Sequence, residues 1–212
     1  SSTVEDEATN MSVRLECADV TLDGDSEIYI GQLGSKQARM TISNSVVRSS
    51  NFANWDFSAY QEEGKEFGGI NYGSLMAVYR SPGILEIRDG TVLTGRVVAC
   101  GYEAKGPWVA GGQGAVYQKG GEVVSIYERG GEPTSGIGWG AYGCYELTGG
   151  RFLVAGHCYV GRAGEGVRTI HGGTLTCPPS SVRKMEMLVL GGWEAEAVVN
   201  VARGGRIDFS DS

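Results

Sequence analysis

The sequence is poor in proline and histidine, and its cysteines lack the spacing of a metal or redox site. It contains 5 Pro, 2 His and 5 Cys among 212 residues, and no two cysteines are separated by two residues. A zinc ribbon and a thioredoxin-like motif are therefore excluded, as is proline-rich collagen. We expect the cysteines to be small buried side chains, with one disulfide possible. No apolar run is long enough to cross a bilayer.

Positive charge is also scarce. The chain has 18 Lys and Arg against 25 Asp and Glu, which gives a formal net charge of −7. Proteins that follow a phosphate backbone or bind anionic membranes carry the opposite balance. We therefore expect no nucleic-acid partner and no direct insertion of this segment into a membrane.

Glycine is the residue present in excess. It accounts for 35 of 212 positions, more than double the ordinary ~7 %. Because glycine destabilises helix interiors, a helical bundle is nearly excluded. Hydrophobic residues make up 41 % of the chain, enough for a real core, so the composition predicts an all-β protein.

A repeat of a strand, a turn and a strand runs along the chain. Short runs that alternate apolar and polar residues flank two-residue turns, as in residues 84–93, 144–154 and 199–209. Such alternation predicts half-buried strands. The second turn residue falls on average about 27 residues apart, a spacing typical of solenoid coils and too short for a propeller blade. These turn residues are Ala18, Asn44, Gly69, Gly90, Gly121, Gly150, Gly173 and Gly205.

The repeat predicts an all-β fold, a right-handed parallel β-helix (β-solenoid) of about eight coils. Residues near 50–83 break the rhythm and predict one projecting loop. Stacked coils place equivalent residues in interior ladders. The predicted ladders are Val116/Tyr145/Val167 and Val123/Phe152/Leu175. An antiparallel β-sandwich or meander remains the alternative, since Asp-Gly between alternating runs is also a hairpin signal.

The same pattern suggests how the chain is organised. Residues 1–12 are expected to form an N-terminal tail or cap, and residues 13–212 a single β-helix domain. An uncapped solenoid end exposes strand edges that favour pairing. The domain is therefore interpreted as a segment of a longer repeat protein, with neighbouring repeats as partners.

Two stretches resemble a known family of repeats. GAVYQKGGEV (114–123) and GCYELTGGRFLVAGHCYVG (143–161) are similar to the autotransporter-associated β-strand repeats of autotransporter-type passenger regions. The resemblance implies a right-handed β-helix that is secreted or displayed at the bacterial cell surface, associated with the outer membrane. It further implies an adhesin or scaffolding role.

The leading functional hypothesis is a non-enzymatic surface segment that binds a glycan or a host surface protein, or serves as a stalk. Exposed aromatic side chains are the candidate contacts, because they stack on sugar rings and anchor partners. The candidates are Trp55 and Tyr60, in the predicted loop, and Trp139, between two glycines. We expect no cofactor and no metal.

The alternative hypothesis is a β-helix hydrolase or lyase that acts on mucin or an acidic polysaccharide, including an acid peptidase. Such enzymes use paired carboxylates as acid, base or nucleophile. The close pairs are Asp23 with Asp25 and Asp208 with Asp211. No nucleophile elbow, P-loop or zinc-protease motif occurs.

Overall fold

The computed structural model describes thirteen stretches of the chain, and within them every regular element is a β-strand. These stretches are residues 9–22, 27–30, 35–49, 74–76, 83–94, 96–99, 113–126, 133–138, 142–155, 157–161, 166–176, 187–191 and 196–208. The prediction of an all-β protein is confirmed.

Twenty strands are described. In chain order they are β1 (Thr9–Glu16), β2 (Asp19–Leu22), β3 (Glu27–Tyr29), β4 (Ser35–Ser43), β5 (Ser45–Ser49), β6 (Ser74–Met76), β7 (Gly83–Ile87), β8 (Gly90–Thr94), β9 (Arg96–Ala99), β10 (Gln113–Gln118), β11 (Glu122–Ile126), β12 (Pro133–Ile137), β13 (Tyr142–Leu147), β14 (Arg151–Ala155), β15 (His157–Val160), β16 (Gly166–His171), β17 (Thr174–Thr176), β18 (Met187–Leu190), β19 (Ala197–Ala202) and β20 (Arg206–Asp208).

The strands form three sheets, and each strand pairs with the third strand before or after it in the chain. The first sheet has the order β1-β4-β7-β10-β13-β16-β19, the second β2-β5-β8-β11-β14-β17-β20 and the third β18-β15-β12-β9-β6-β3. Pairing is parallel throughout these sheets, from β1 with β4 to β17 with β20. The antiparallel sandwich or meander is therefore wrong. Asp89-Gly90 does not close a hairpin, because β7 and β8 lie in different sheets.

The turns between the first and second sheets contain residues whose backbone has a positive φ, in the left-handed region. Gly90 has a φ of +105°, and a Cβ there would overlap the Ser45 carbonyl of the neighbouring turn. Glycine is thus required by both conformation and space. The predicted turn positions Asn44, Gly90, Gly121 and Gly150 all have positive φ. In three other turns the positive φ falls one residue earlier than predicted, at Cys17, Gly172 and Gly204. Gly69 lies outside the described residues.

One hydrophobic core joins the three sheets. It contains Leu85 and Val116 of the first sheet, Phe152 of the second and Ile137 of the third, each fully buried. The predicted ladder Val123/Phe152/Leu175 is confirmed, since these residues pair in register.

The other predicted ladder is wrong at its last member. Val116 pairs with Tyr145 as predicted, but Tyr145 pairs with Arg168 and not with Val167. Val167 lies beside Cys144 and is only half-buried. Because side chains alternate between faces, a register one residue away from the prediction places Arg168 in the core.

The predicted projecting loop lies mostly outside the described residues. Within its range, Ser74–Met76 forms β6 of the third sheet, and Gly83 begins β7. Those residues therefore belong to sheets. At the other end, β1 begins at Thr9, within the predicted tail or cap.

The three described cysteines differ in environment. Cys158 is buried, Cys144 is half-buried and Cys17 is exposed, and all three are free thiols. The expectation of buried side chains is confirmed for Cys158 and wrong for Cys17, which occupies a left-handed turn position. Cys100 and Cys177 lie outside the described residues.

Candidate functional site on the outer face of the first sheet

Alternation along the strands sets which side chains of the first sheet point outward. In β10 and β13 every second residue is buried, in the same pattern. The outward pairs across these strands are Gln113/Tyr142, Ala115/Cys144 and Tyr117/Glu146. Arg39, Ile84 and Ala115 form one outward row, and Thr41, Glu86 and Tyr117 the next.

A shallow cavity of about 240 Å³ opens on this face. Four neighbouring strands supply its lining, which consists of Gln37, Gly83, Ile84, Gln113, Gly114, Ala115, Tyr117, Tyr142 and Cys144. Gly83, Gly114 and Ala115 carry no bulky side chain, so larger residues around them leave a depression. Two phenol rings and two carboxamides thus surround an apolar floor.

A charged cluster lies next to the cavity and is centred on Glu86. Lys119 Nζ lies 2.7 Å and Arg88 Nε 3.1 Å from Glu86 Oε1, and Arg39 pairs with Oε2. The Glu86 side chain is 2 % exposed, whereas its three partners are 48–57 % exposed. The cluster carries three positive charges and one negative, a net of two positive charges on a chain whose formal charge is −7.

The three cations determine the protonation state of Glu86. Hydrogen bonds from Lys119, Arg39 and Arg88, in that order, lower the pKa of its carboxyl to about 2. Glu86 is therefore ionised at neutral pH and has no proton to give as a general acid.

Two side chains that line the cavity, Tyr117 and Cys144, have raised pKa values. Burial raises the pKa of Tyr117, and the nearby Cys144 and Glu146 add to that effect while Arg39 opposes it. Burial also raises the pKa of the Cys144 thiol, with a further contribution from Glu146. Since the thiolate is the reactive form, Cys144 is not an activated nucleophile.

The arrangement is suited to binding by stacking, hydrogen bonding and charge. Within the described stretches, no group of three or more His, Cys, Asp or Glu side chains converges. Glu86 and Glu146 are the carboxylates beside the cavity's rows, and Tyr117 stands between them on the intervening strand. No adjacent pair of carboxylates is therefore found among the described residues of this face.

Most of the sequence-predicted contact and catalytic residues fall outside the part of the chain that the structure describes. Trp55, Tyr60 and Trp139 lie outside the described residues, as do Asp23, Asp25 and Asp211. Asp208 is in β20 and pairs with Arg206. Leu22, which precedes Asp23, is in β2 at the opposite edge of the second sheet. Six strand spacings of ~4.8 Å put β2 and β20 about 29 Å apart.

Sequence reasoning missed the residues that do form the site. Glu86 and Tyr117 alternate with the core positions of β7 and β10, and Tyr142 begins β13 one residue before the repeat at 143–161. The sequence indicated them by alternation: the polar and aromatic residues between the apolar core positions of each run point outward. Combining that alternation with the repeat register would have placed these residues side by side.

Comparison with known proteins identifies no relative. No protein-family model, curated protein or solved structure matches the chain. Within the described stretches, no helix has the length and hydropathy needed to span a membrane.

Proposed function

We propose that this chain is part of a right-handed parallel β-helix of a secreted or surface-displayed bacterial protein. Its role is that of a non-enzymatic module that binds glycans on the outer face of the first sheet. The parallel pairing of every strand with the third one along supports the helical winding. The resemblance of residues 114–123 and 143–161 to autotransporter passenger repeats supports the surface location.

The observation that carries the glycan proposal is the cavity between Tyr117 and Tyr142. A phenol ring offers an apolar face on which the C–H face of a sugar ring stacks. The carboxamides of Gln37 and Gln113, which line the cavity, offer both donors and acceptors to sugar hydroxyls. A shallow open cleft suits a polymer that passes along the surface more than a small molecule that must be enclosed.

The charged cluster favours glycans that carry carboxylate or sulfate groups. Arg39 lies in the outward row next to Ile84, which lines the cavity. With two net positive charges and half-exposed side chains, the Glu86 cluster attracts an anionic group of a sugar bound there. Glu86 holds the three cations in place before the ligand arrives, which lowers the entropic cost of binding.

Neighbouring repeats of a longer chain are the proposed partners at the two ends. Val13 in β1, Leu190 in β18 and Val201 in β19 are about half exposed. Each pairs with a buried residue of the next strand inward, namely Met40, Val160 and Ile170. These side chains therefore occupy core positions on outermost strands, and a further winding would bury them.

The binding proposal is tested by titrating the protein with hyaluronan and polygalacturonate, with dextran as a neutral glycan. We expect saturable binding to an acidic polymer, and a loss of at least about tenfold, or ~1.4 kcal/mol, in Tyr117→Ala. Tyr159→Ala, in the third sheet, is the matched control and is expected to bind as the wild type does. Saturable binding to none of the three polymers, or equal losses in both variants, would count against the proposal.

The charge preference is tested separately with Arg39→Gln, matched by Arg206→Gln in the second sheet. Arg39→Gln should weaken binding of the acidic polymer and make it less sensitive to salt, because one cation is removed. If binding persists but Arg39→Gln leaves its salt dependence unchanged, the cluster has no part in recognition.

A further inference from the structure

The inner face of β16 carries a fully buried arginine. Arg168 is 0 % exposed and is the largest of the fully buried side chains. In the first sheet it stands between Tyr145 of β13 and Val199 of β19. A guanidinium remains protonated in proteins, so the core holds a permanent positive charge.

Two stacked aromatic rings pack against the Arg168 guanidinium. The rings of Tyr145 and Phe152 stack with centroids 5.1 Å apart and an interplanar angle of 11°. The guanidinium carbon of Arg168 lies 4.7 Å from the first centroid and 4.8 Å from the second. These contacts attract the charge, but they do not supply a lone-pair acceptor for its N–H groups.

Two of the three guanidinium nitrogens of Arg168 have no hydrogen-bond acceptor among the described residues. Nη1 donates to Cys158 Sγ at 3.3 Å, and sulfur is a weak acceptor. Nε and Nη2 are buried and have no hydrogen-bond partner among the described residues. These two nitrogens lie on the same edge of the planar group and form the fork that binds a carboxylate or another anion with two parallel hydrogen bonds.

The described residues also provide no counter-charge in the core. Burial raises the pKa of Tyr145, and its hydroxyl donates to Gln118 Oε1 at 2.7 Å, so it is no phenolate partner. Glu86, the buried carboxylate of the first sheet, is on the outer face with three cations. An unpaired buried charge is strongly unfavourable, and so are two unsatisfied donors.

We propose that the Nε/Nη2 edge of Arg168 binds a small monovalent anion in the core. Chloride, nitrate and formate fit this chemistry, because each accepts two converging N–H bonds and neutralises one charge. Because Arg168 is 0 % exposed, we expect a small anion in preference to a large one. A bound anion accepts hydrogen bonds from both unpaired N–H donors and also neutralises the positive charge, whereas a water molecule would leave the charge uncompensated.

The site predicts that folding depends on the anion. An anion that binds the folded chain alone suppresses the unfolding equilibrium constant by the factor 1 + [anion]/Kd, which is about a hundredfold at a concentration of 100 Kd. The dependence should saturate as binding at one site does. General salt effects on a protein surface do not saturate at low concentration.

The experiment measures thermal unfolding in potassium gluconate while chloride, nitrate or formate replaces gluconate at constant ionic strength. We expect the wild-type midpoint to rise with each small anion and then level off. Arg168→Met keeps the length of the side chain, removes its charge and should respond to none of them. Arg151→Met, which removes an exposed arginine of β14, should retain the wild-type response.

A second readout uses the wild type alone and so does not depend on the folding of Arg168→Met. Bound chloride broadens the chlorine-35 resonance of the wild-type solution, and formate or nitrate should narrow it again by competition. Equal midpoints in gluconate and chloride, or no broadening, would overturn the proposal and indicate that internal water satisfies the fork. An equal response of wild type and Arg168→Met would overturn it as well.

Discussion

Glu86 and Arg168 are both buried charges of the first sheet, but they differ in which face they occupy and in how many opposite charges surround them. Glu86 points outward and is covered by three cations from β4 and from the residues that follow β7 and β10. Arg168 points inward and has no anionic partner among the described residues; two aromatic rings and one thiol surround it. Among the described residues, the Glu86 carboxylate has an excess of counter-charge and the Arg168 guanidinium has none.

The difference follows from what each face of a stacked sheet allows. On the outer face, long side chains from neighbouring strands bend over a central residue while their charged ends stay in water. In the core, only the next residues of the same ladder and of the facing sheets come within reach. A charge inside must therefore find its partner in a few fixed positions or take one from solution.

The largest expected effect comes from removing the ring beneath Arg168. Phe152→Ala deletes a fully buried side chain and half of the aromatic stack, so we expect a loss of about 3–5 kcal/mol in the free energy of unfolding. Urea denaturation measures it. Tyr142→Ala, on the outer face and 41 % exposed, should cost far less. A loss below about 1 kcal/mol in Phe152→Ala would mean that Arg168 does not pack on this ring.

A smaller effect is expected when Glu86 loses its charge. Glu86→Gln leaves three cations facing one another, and we expect a loss of about 1–2 kcal/mol at pH 7. The half-exposed cations keep the loss below what a buried pair would give. Because the pKa of Glu86 is lowered from 4.5 to about 2 in the folded chain, its contribution is present above pH 4.5 and disappears as the pH falls towards 2.

Urea titrations of the wild type and Glu86→Gln from pH 7 to pH 2 measure this difference. The two proteins should converge in stability at the acidic end. Glu122→Gln is the matched control, since Arg151 is the one cation that pairs with Glu122 among the described residues. A gap between wild type and Glu86→Gln that stays constant over the whole pH range would contradict the assignment of the effect to the carboxylate.

The smallest effect is expected for an ordinary surface pair. Arg151→Gln breaks the Arg151–Glu122 pair, whose arginine is 57 % exposed, and should cost under about 1 kcal/mol. Added salt should reduce that cost further. A loss as large as that of Glu86→Gln would show that the number of cations around a carboxylate makes no difference here.

Part of the fold was open to prediction from the residues. Alternation and turn spacing predicted parallel ladders such as Val123/Phe152/Leu175, because apolar residues recur at equivalent places in successive repeats. The burial of Arg168 was missed because hydrophobic patterning assigns charged residues to the surface. The neighbouring apolar residue Val167 was therefore assigned to the core position instead. The cluster around Glu86 was missed because two of its cations, Lys119 and Arg39, lie 33 and 47 residues from Glu86 in the chain.

The sequence alone determined the class of structure. Its glycine-rich turns and period-two runs permit strands and oppose helices, since glycine tolerates positive φ and destabilises helix interiors. Tertiary structure decided which residues meet. Register between strands some thirty residues apart depends on packing across three sheets, and a step of one residue exchanges inside for outside. That step put Arg168 in the core, while the same register gathered Tyr117, Tyr142 and the Glu86 cluster on one outer face.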